Sequence, residues 1–97
     1  MDNIELKKSN RKNKKLQVKL PNNKIIHFGD SRYEDYTTHK DDKRKKLYEI
    51  RHSKNEDWNN TLTAGFWSKW ILWNKPNIND AIKDTEKKFN INIKFIK

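Results

Sequence analysis

The sequence contains no cysteine, which excludes disulfide bonds and thiolate metal sites and makes the chain compatible with a reducing compartment. With only two glycines it has no glycine-rich phosphate loop, and no Ser-His-Asp or Cys-His order is present. No apolar run approaches the roughly 18 residues of a membrane span, and the N-terminus does not resemble a signal peptide. We therefore expect no enzyme activity, no cofactor, no membrane partner and no small-molecule substrate.

Acidic residues are also scarce relative to basic ones. The 97 residues include 23 Lys and Arg against 13 Asp and Glu, giving a formal net charge of +10 and a pI near 9.8. A small body with this excess attracts polyanions, so nucleic acid is the expected partner, with duplex DNA favoured. A chain of this length forms one small domain.

The first residues combine positive charge with very little apolar character before Leu16. We predict that residues 1–14 form a flexible basic arm and that residues 15–97 form a single α+β domain. The candidate phosphate-binding residues in and next to this arm are Lys7, Lys8, Arg11, Lys12, Lys14 and Lys15.

Three of the four tryptophans lie within the segment 63–76. Large rings recur there at the three-to-four residue spacing of one helical face, at Phe66, Trp67, Trp70 and Trp73. This pattern predicts a helix that begins at Thr63 or Gly65 and ends before Pro76. Because each ring buries about 150–250 Å² and other apolar residues are few, we interpret the helix as the centre of the core. The alternative, a base-stacking platform, would need exposed rings.

Residues 16–20 alternate apolar and polar side chains, residues 21–24 have turn chemistry, and residues 25–28 are again apolar, which predicts a β-hairpin. Residues 91–96 alternate in the same way and predict a terminal strand. Residues 31–38 have no clear period and are expected to form a loop. The predicted fold class is α+β, with a small antiparallel sheet of the hairpin and the C-terminal strand packed by about three helices.

Thr38 and Asp41 resemble a capping pair at the start of a helix predicted over 40–54. One side of this helix carries a basic stripe around Leu47, formed by Lys40, Lys43, Arg44, Arg51 and Lys54. The stripe has the length and charge to follow phosphates, and the alternative is a solvated helix face with weak surface ion pairs. Leu47 within the stripe favours contact with a partner.

Asn77 or Asn79 can begin a last helix whose apolar face contains Ile78, Ala81, Ile82, Thr85 and Phe89. The two glycines are expected to serve the backbone. Gly29 would permit a turn after the second strand, and Gly65 would permit close approach of the aromatic helix to a neighbour.

The three histidines, His27, His39 and His52, have several acidic residues near them in the sequence. These are Asp30, Asp35, Asp41, Asp42 and Asp57. A metal-dependent nuclease would need two or three such side chains to converge on one ion. Their spacing matches no zinc or nuclease motif, so we expect no catalytic residues and no metal site.

Five sequence segments together resemble a family of small basic proteins encoded by large cytoplasmic double-stranded DNA viruses, including mimivirus-like and chlorella-virus-like ones. These segments are residues 26–30, 33–41, 51–52, 56–58 and 63–76. The resemblance covers about residues 16 to 90. The family has no known function, so the resemblance implies a viral setting, in the host cytoplasm at the viral factory and in the virion, and it transfers no catalytic residue.

The sequence leaves two main functional hypotheses. In the first, the chain is a non-enzymatic DNA-packaging or virion-associated protein that binds nucleic acid through phosphate contacts. In the second, it is a structural component of an internal capsid or core, and its basic surfaces meet an acidic viral structural protein. A nuclease using the histidines and aspartates is a more distant third.

Overall fold

The computed structural model describes residues 2–96, so the predicted bounds at residues 1 and 97 lie outside the described part of the chain. The fold is α+β, as predicted, with helices packed on one face of a four-stranded sheet. In chain order the elements are β1 (Asp2–Lys8), β2 (Lys14–Lys19), β3 (Ile25–Asp30), α1 (Tyr36–His39), α2 (Asp42–His52), α3 (Ala64–Trp67), a π-helical turn (Ser68–Leu72), α4 (Ile78–Phe89) and β4 (Ile91–Ile96).

The sheet has the strand order β3-β2-β1-β4 and is mixed rather than antiparallel. β1 is antiparallel to β2 and parallel to β4, with Leu6 opposite both Val18 and Phe95. The predicted pairing of the C-terminal strand with the hairpin of β2 and β3 is therefore wrong in its detail, because β1 lies between them. A parallel pair needs a long crossover connection, which the rest of the chain between β1 and β4 provides.

β1 occupies residues that we had predicted to belong to a flexible arm. Ile4 and Leu6 are 3% and 0% exposed, whereas Asn3, Glu5 and Lys7 are exposed on the opposite face. The period of two that this creates is the pattern of a strand with one buried face. Two apolar side chains at the right spacing are thus enough to place the start of the chain at the centre of the sheet.

Asparagine residues form the tight turns on both sides of β2. Asn13 (φ 67°) lies between β1 and β2, and Asn23 (φ 70°) lies in the predicted turn between β2 and β3. Asparagine tolerates the left-handed region better than most residues because its short polar side chain bonds locally. Gly29 (φ 79°) also has a left-handed φ, and a Cβ there would lie 2.6 Å from Leu72 Cδ1.

The helix predicted over 40–54 is found as α2, and a short helix, α1, occupies part of the segment 31–38 that was predicted to be a loop. Asp35 caps α1 by accepting a hydrogen bond from the Thr37 amide at 2.9 Å. Lys40 then adopts the left-handed conformation, and Asp41 caps α2 by accepting from the amides of Lys43 and Arg44. Each aspartate satisfies free N–H groups at its helix start, and this makes Asp41, rather than Thr38, the cap of the longer helix.

The aromatic helix begins as predicted with Thr63, whose hydroxyl accepts from the Phe66 amide at 3.2 Å. Its second half is π-helical rather than α-helical. The most deeply buried side chains are therefore Phe66, Trp67, Ile71 and Leu72, whereas Trp70 and Trp73 are half-buried. The i→i+5 hydrogen bonds of a π turn wind the chain more loosely than an α-helix, which brings positions five apart, 66 and 71 or 67 and 72, closer to one face.

α4 and β4 lie close to their predicted positions. Asn77 caps α4, and Asn90 (φ 54°) ends it before β4 begins. Thr85, fully buried on α4, donates its hydroxyl towards the carbonyl oxygens of Ala81 and Trp70 and so joins α4 to the π-helical turn. Within residues 2–96, no helix has the length and apolar character needed to cross a membrane.

Trp67 has the largest of the fully buried side chains, and its Nε1 donates to the Thr61 carbonyl at 2.9 Å. Trp67→Ala should lower the free energy of unfolding by about 3–5 kcal/mol because it leaves a large cavity. Leu62→Ala, at a side chain 51% exposed, is the control and should change it by less than about 0.5 kcal/mol. Chemical denaturation of both variants measures this, and equal stabilities would contradict the assigned core.

Candidate nucleic-acid interface

The strands β1 and β2 and their loop form the most uniformly charged part of the structure. Residues 6–19, here called the basic hairpin, contain seven basic residues and no acidic one. Of the predicted phosphate-binding residues in this region, Lys7, Lys8, Arg11, Lys12 and Lys14 are exposed, and Lys15 is half-buried. The structure therefore presents these charges on a hydrogen-bonded hairpin.

The tip of the basic hairpin, residues 9–13, is fixed to the rest of the sheet. Four hydrogen bonds do this: Ser9 Oγ with His27 Nδ1 (2.8 Å), the Ser9 amide with the Lys15 carbonyl (3.1 Å), the Asn10 amide with Gln17 Oε1 (3.3 Å), and the Ser31 amide with the Asn13 carbonyl (3.0 Å). Gln17 is 4% exposed, so its contact lies under the tip. The positive charges at the tip consequently have a defined backbone geometry.

The cations of the basic hairpin also affect the pKa of His27. Burial and the nearby cations Arg11 and Lys14 lower the pKa of His27 from its ordinary value of 6.5. A histidine in this position is neutral at pH 7. Its pKa would respond to any anion that approaches Arg11 and Lys14, because an anion favours the protonated imidazole.

The predicted basic stripe on α2 is largely present. Lys43, Arg44 and Arg51 are exposed on the outer face of the helix, and Lys54 is exposed just beyond its end. Leu47 is 46% exposed in the middle of this face. The stripe is therefore a surface in which four cations surround an apolar side chain.

Lys40 does not belong to this stripe. It precedes α2 as the left-handed residue that ends α1, and its Nζ donates to the Pro76 carbonyl at 2.6 Å. Since the helix begins only at Asp42, the helical spacing that placed Lys40 on the stripe does not apply. Its charge ties α1 to the segment before α4.

Two other predicted residues already have acidic partners. Lys15 Nζ lies 2.5 Å from Asp35 Oδ2, and the Asp35 side chain is only 5% exposed. Arg44 lies 3.5 Å from Glu34, and both side chains are about half exposed. Exposed pairs of the second kind contribute little, so Arg44 remains available to another anion, whereas Lys15 is held in place.

The inner face of α2 is attached to the aromatic segment through polar and stacking contacts. Tyr48 and Trp73 are stacked with ring centroids 4.2 Å apart and an interplanar angle of 1°. Lys45 Nζ donates to the Asn74 carbonyl at 2.8 Å, and burial lowers the pKa of Lys45. These contacts turn the charged outer face of α2 towards solvent.

A cleft of about 480 Å³ joins the two basic regions. Lys14 and Lys15 line it from β2, Arg51 from α2, and Ser68 from the π-helical turn. The predicted residues of the arm and the stripe thus meet at this cleft, although they are distant in the sequence. Lys7, Lys8, Arg11, Lys12, Lys43 and Lys54 do not line it and stay on the outer surface.

The three histidines have separate partners. His39 Nδ1 accepts from the Asp41 amide at 3.0 Å, and its ring lies beside Trp73. His52 Nδ1 lies 3.0 Å from Glu56 Oε1. In the part of the chain that the structure describes, no three His, Cys, Asp or Glu side chains are arranged to hold a metal ion.

Most residues of the cleft, Tyr33 and Glu56 among them, were not sequence-predicted site residues. Tyr33 is 70% exposed, and Glu56 joins His52 to Trp58 Nε1, which donates to Glu56 Oε2 at 2.8 Å. Gly65 gave one sequence signal for a close neighbour, because a glycine at this position was expected to let another part of the chain approach the aromatic helix. That neighbour is Glu56. A Cβ on Gly65 would lie 2.8 Å from the Glu56 carboxyl carbon. Tyr33 lies in a loop without period and gave no such signal.

Comparison with known families matches residues 4–52 to a family of unknown function (DUF5754). This is 49 of the 97 residues, more than half, and the chain belongs to that family. The match runs from β1 to the end of α2 and so includes the basic hairpin and most of the stripe. Neither the curated proteins nor the solved structures contain a significant match.

The pKa of His27 reports on anion binding at the hairpin tip. The free protein should have a His27 pKa below 6.5, so this group makes stability fall as the pH drops from 6.5 through the lowered value. A short DNA duplex bound at the tip should raise that pKa, and its affinity should then increase as the pH falls through the same range. NMR titration of the imidazole with and without duplex measures both values. His27→Gln should remove this pH dependence, and an unchanged pKa would place the DNA elsewhere.

Proposed function

We propose that this protein is a non-enzymatic nucleic-acid-binding protein that contacts phosphates without sequence preference and serves a large DNA virus in packaging or as a virion component. The first part of the proposal is supported by the charge and rigidity of the basic hairpin. The viral part is supported by the sequence resemblance, which also suggests the viral factory and the virion as its locations.

The observation that carries the proposal is the absence of any acidic residue in residues 6–29, which contain eight Lys and Arg. Among the described residues, Lys7, Lys8, Arg11, Lys12 and Lys14 of this segment have no carboxylate within 4.0 Å, whereas Lys15 has Asp35, Arg32 has Asp30 and Lys69 has Glu49. A surface without such partners is one whose charges interact best with an external polyanion. Phosphate contacts of this kind supply most of the affinity in non-specific DNA binding.

The hairpin geometry also suits a duplex. β1 and β2 are the two inner strands of the four-stranded sheet, so the cations of the basic hairpin can follow the phosphate backbone from the surface of the sheet without entering a groove. Because the tip is already hydrogen-bonded to β2 and β3, binding would not have to order a disordered arm. This lowers the entropic cost of association. The stripe on α2 would provide a second set of contacts.

A salt titration tests the proposal. If Lys7, Lys8, Arg11, Lys12 and Lys14 contact about five phosphates of duplex DNA, the logarithm of the association constant should fall against the logarithm of salt concentration with a slope of about −4 to −5. Duplexes of different sequence should give similar affinities. Fluorescence anisotropy at several salt concentrations measures the slope. Failure of the intact protein to bind duplex at about 50 mM salt would contradict the proposal.

Charge substitutions locate the contacts. Arg11→Gln combined with Lys12→Gln should reduce the magnitude of the slope by about two, because two phosphate contacts are lost. Lys83→Gln combined with Lys87→Gln is the matched control, since both side chains are exposed on α4 and the change in net charge is the same. An equal effect of the two pairs would mean that net charge alone, not the hairpin, drives binding.

The second candidate function is a structural role with an acidic protein partner, and one observation favours it. Leu47 and Ile50 are 46% and 55% exposed on the outer face of α2, between the cations of the stripe. A phosphate backbone makes no use of exposed aliphatic side chains. An acidic protein surface with its own apolar residues would use both parts of this face.

Substituting these two residues separates the candidates. Leu47→Gln combined with Ile50→Gln should leave the DNA affinity and its salt slope unchanged if the hairpin carries function. If the chain is instead a structural protein, this variant should lose incorporation into virions, while Arg11→Gln combined with Lys12→Gln should retain it. Quantitative mass spectrometry of purified virions from cells expressing each variant measures incorporation, with Leu62→Gln, another exposed apolar site, as the control.

A further inference from the structure

The cleft between β2, α2 and the π-helical turn has two cations without a partner. Four acidic residues line it, and each has a basic partner within salt-bridge distance: Asp30 with Arg32, Glu34 with Arg44, Asp35 with Lys15, and Glu56 with His52. Lys14 and Arg51 also line it and, among residues 2–96, neither has a carboxylate within 4.0 Å. When Arg32 and Arg44 are included with the lining residues, five Lys and Arg face four carboxylates, so the charge that remains for a ligand is positive but small.

The same cleft contains one exposed and one buried tyrosine. Tyr33 is 70% exposed, and the Arg32 guanidinium lies 6.0 Å from the centroid of its ring. Tyr48 is 6% exposed, with its ring beside both Trp73 and His52. Its hydroxyl has no hydrogen-bond partner within the described part of the chain. The cleft thus combines an exposed aromatic side chain with a hydroxyl group that no described residue hydrogen-bonds, and Lys14 and Arg51 line the same cleft.

We propose that this cleft binds a single unpaired nucleotide, with its phosphate at Lys14 and Arg51 and its base stacked on Tyr33. The inference deepens the proposed function and rests on it for the class of ligand. A nucleotide is the unit of nucleic acid that has both an anionic group and a planar ring, which are the two chemistries that the cleft offers. The Tyr48 hydroxyl and the His52–Glu56 pair supply polar groups for the base or the sugar.

The dimensions favour a single nucleotide over a duplex. A cleft of about 480 Å³ is in the usual range for small-molecule sites and is too small for a double helix. Because Lys14 belongs both to the cleft and to the basic hairpin, a strand end that leaves the duplex on the hairpin has a short path to the cleft. Aromatic stacking of single bases needs no particular sequence, which agrees with the proposed lack of sequence preference.

Binding of three small probes tests the proposal directly. 5′-AMP should bind more tightly than either adenosine, which lacks the phosphate, or inorganic phosphate, which lacks the ring. Two-dimensional NMR should place the shifted amide signals around the cleft, at positions such as Tyr33 and Arg51, and not at the hairpin tip. Equal affinity for AMP and inorganic phosphate would overturn the proposal, as would shifts confined to residues 9–13.

Two variants and a control give the contributions of the ring and the charge. Tyr33→Leu should weaken AMP binding about tenfold, as expected for loss of base stacking, and leave phosphate binding unchanged. Arg51→Gln should weaken binding of AMP but not of adenosine. Lys54→Gln, which removes an exposed cation of the same stripe outside the cleft, should have no effect. If Lys54→Gln and Arg51→Gln weaken AMP binding equally, the cleft is not the site.

A DNA experiment keeps the two proposals apart. A duplex with a single-stranded overhang should bind more tightly than a blunt duplex of the same length, and Tyr33→Leu should abolish the difference while retaining duplex binding. If the blunt duplex binds and the overhang and AMP add nothing, the cleft inference is wrong and the proposed function stands. If AMP binds at the cleft and no duplex binds at low salt, the hairpin proposal fails and the cleft remains a nucleotide site.

Discussion

The packing of the aromatic segment is the constraint on which the rest of the structure depends. Only 32% of the residues are hydrophobic, so a few large aromatic rings must fill most of the core. The π-helical turn makes this possible, because its looser winding lets two adjacent pairs, Phe66–Trp67 and Ile71–Leu72, both be buried in the core. The remaining rings, Trp70 and Trp73, are then free to support other elements.

Those remaining rings explain how a polar helix is held against the body of the protein. Lys69 is 6% exposed, lies 4.5 Å from the centroid of the Trp70 ring and 5.3 Å from that of Trp58, and pairs with Glu49 of α2 at 3.0 Å. Together with the stacking of Tyr48 on Trp73, these contacts fix α2 through charged and aromatic side chains. A buried cation that has both an acid and aromatic faces around it avoids the cost of an unpaired charge.

The sequence predicted those features that depend on local pattern. The hairpin of β2 and β3, the strand β4, the caps Thr63 and Asn77, and the exposed cations of α2 all follow from periodicity and capping chemistry. The missed features depend on tertiary contacts. β1 contains only two buried apolar residues, so its charged neighbours concealed it, and the cleft brings together Lys14 and Arg51 from elements far apart in the chain. No single-sequence pattern could have placed Lys40 against Pro76.

Because β1 is an inner strand of the sheet, the segment that carries many of the basic residues is also needed for the stability of the fold. In a flexible arm, the basic residues could be deleted without loss of the fold, because the arm would contribute no buried area. In the observed sheet, Ile4 and Leu6 belong to the central strand that separates β2 from β4, and the cations Lys7 and Lys8 continue the same strand. Removal of residues 1–14 would therefore remove a central strand and expose two strand edges, and the consequence would be unfolding. The charged surface and the sheet that supports it are parts of one element, so substitution of exposed side chains, and not deletion of the segment, can separate the proposed binding from folding.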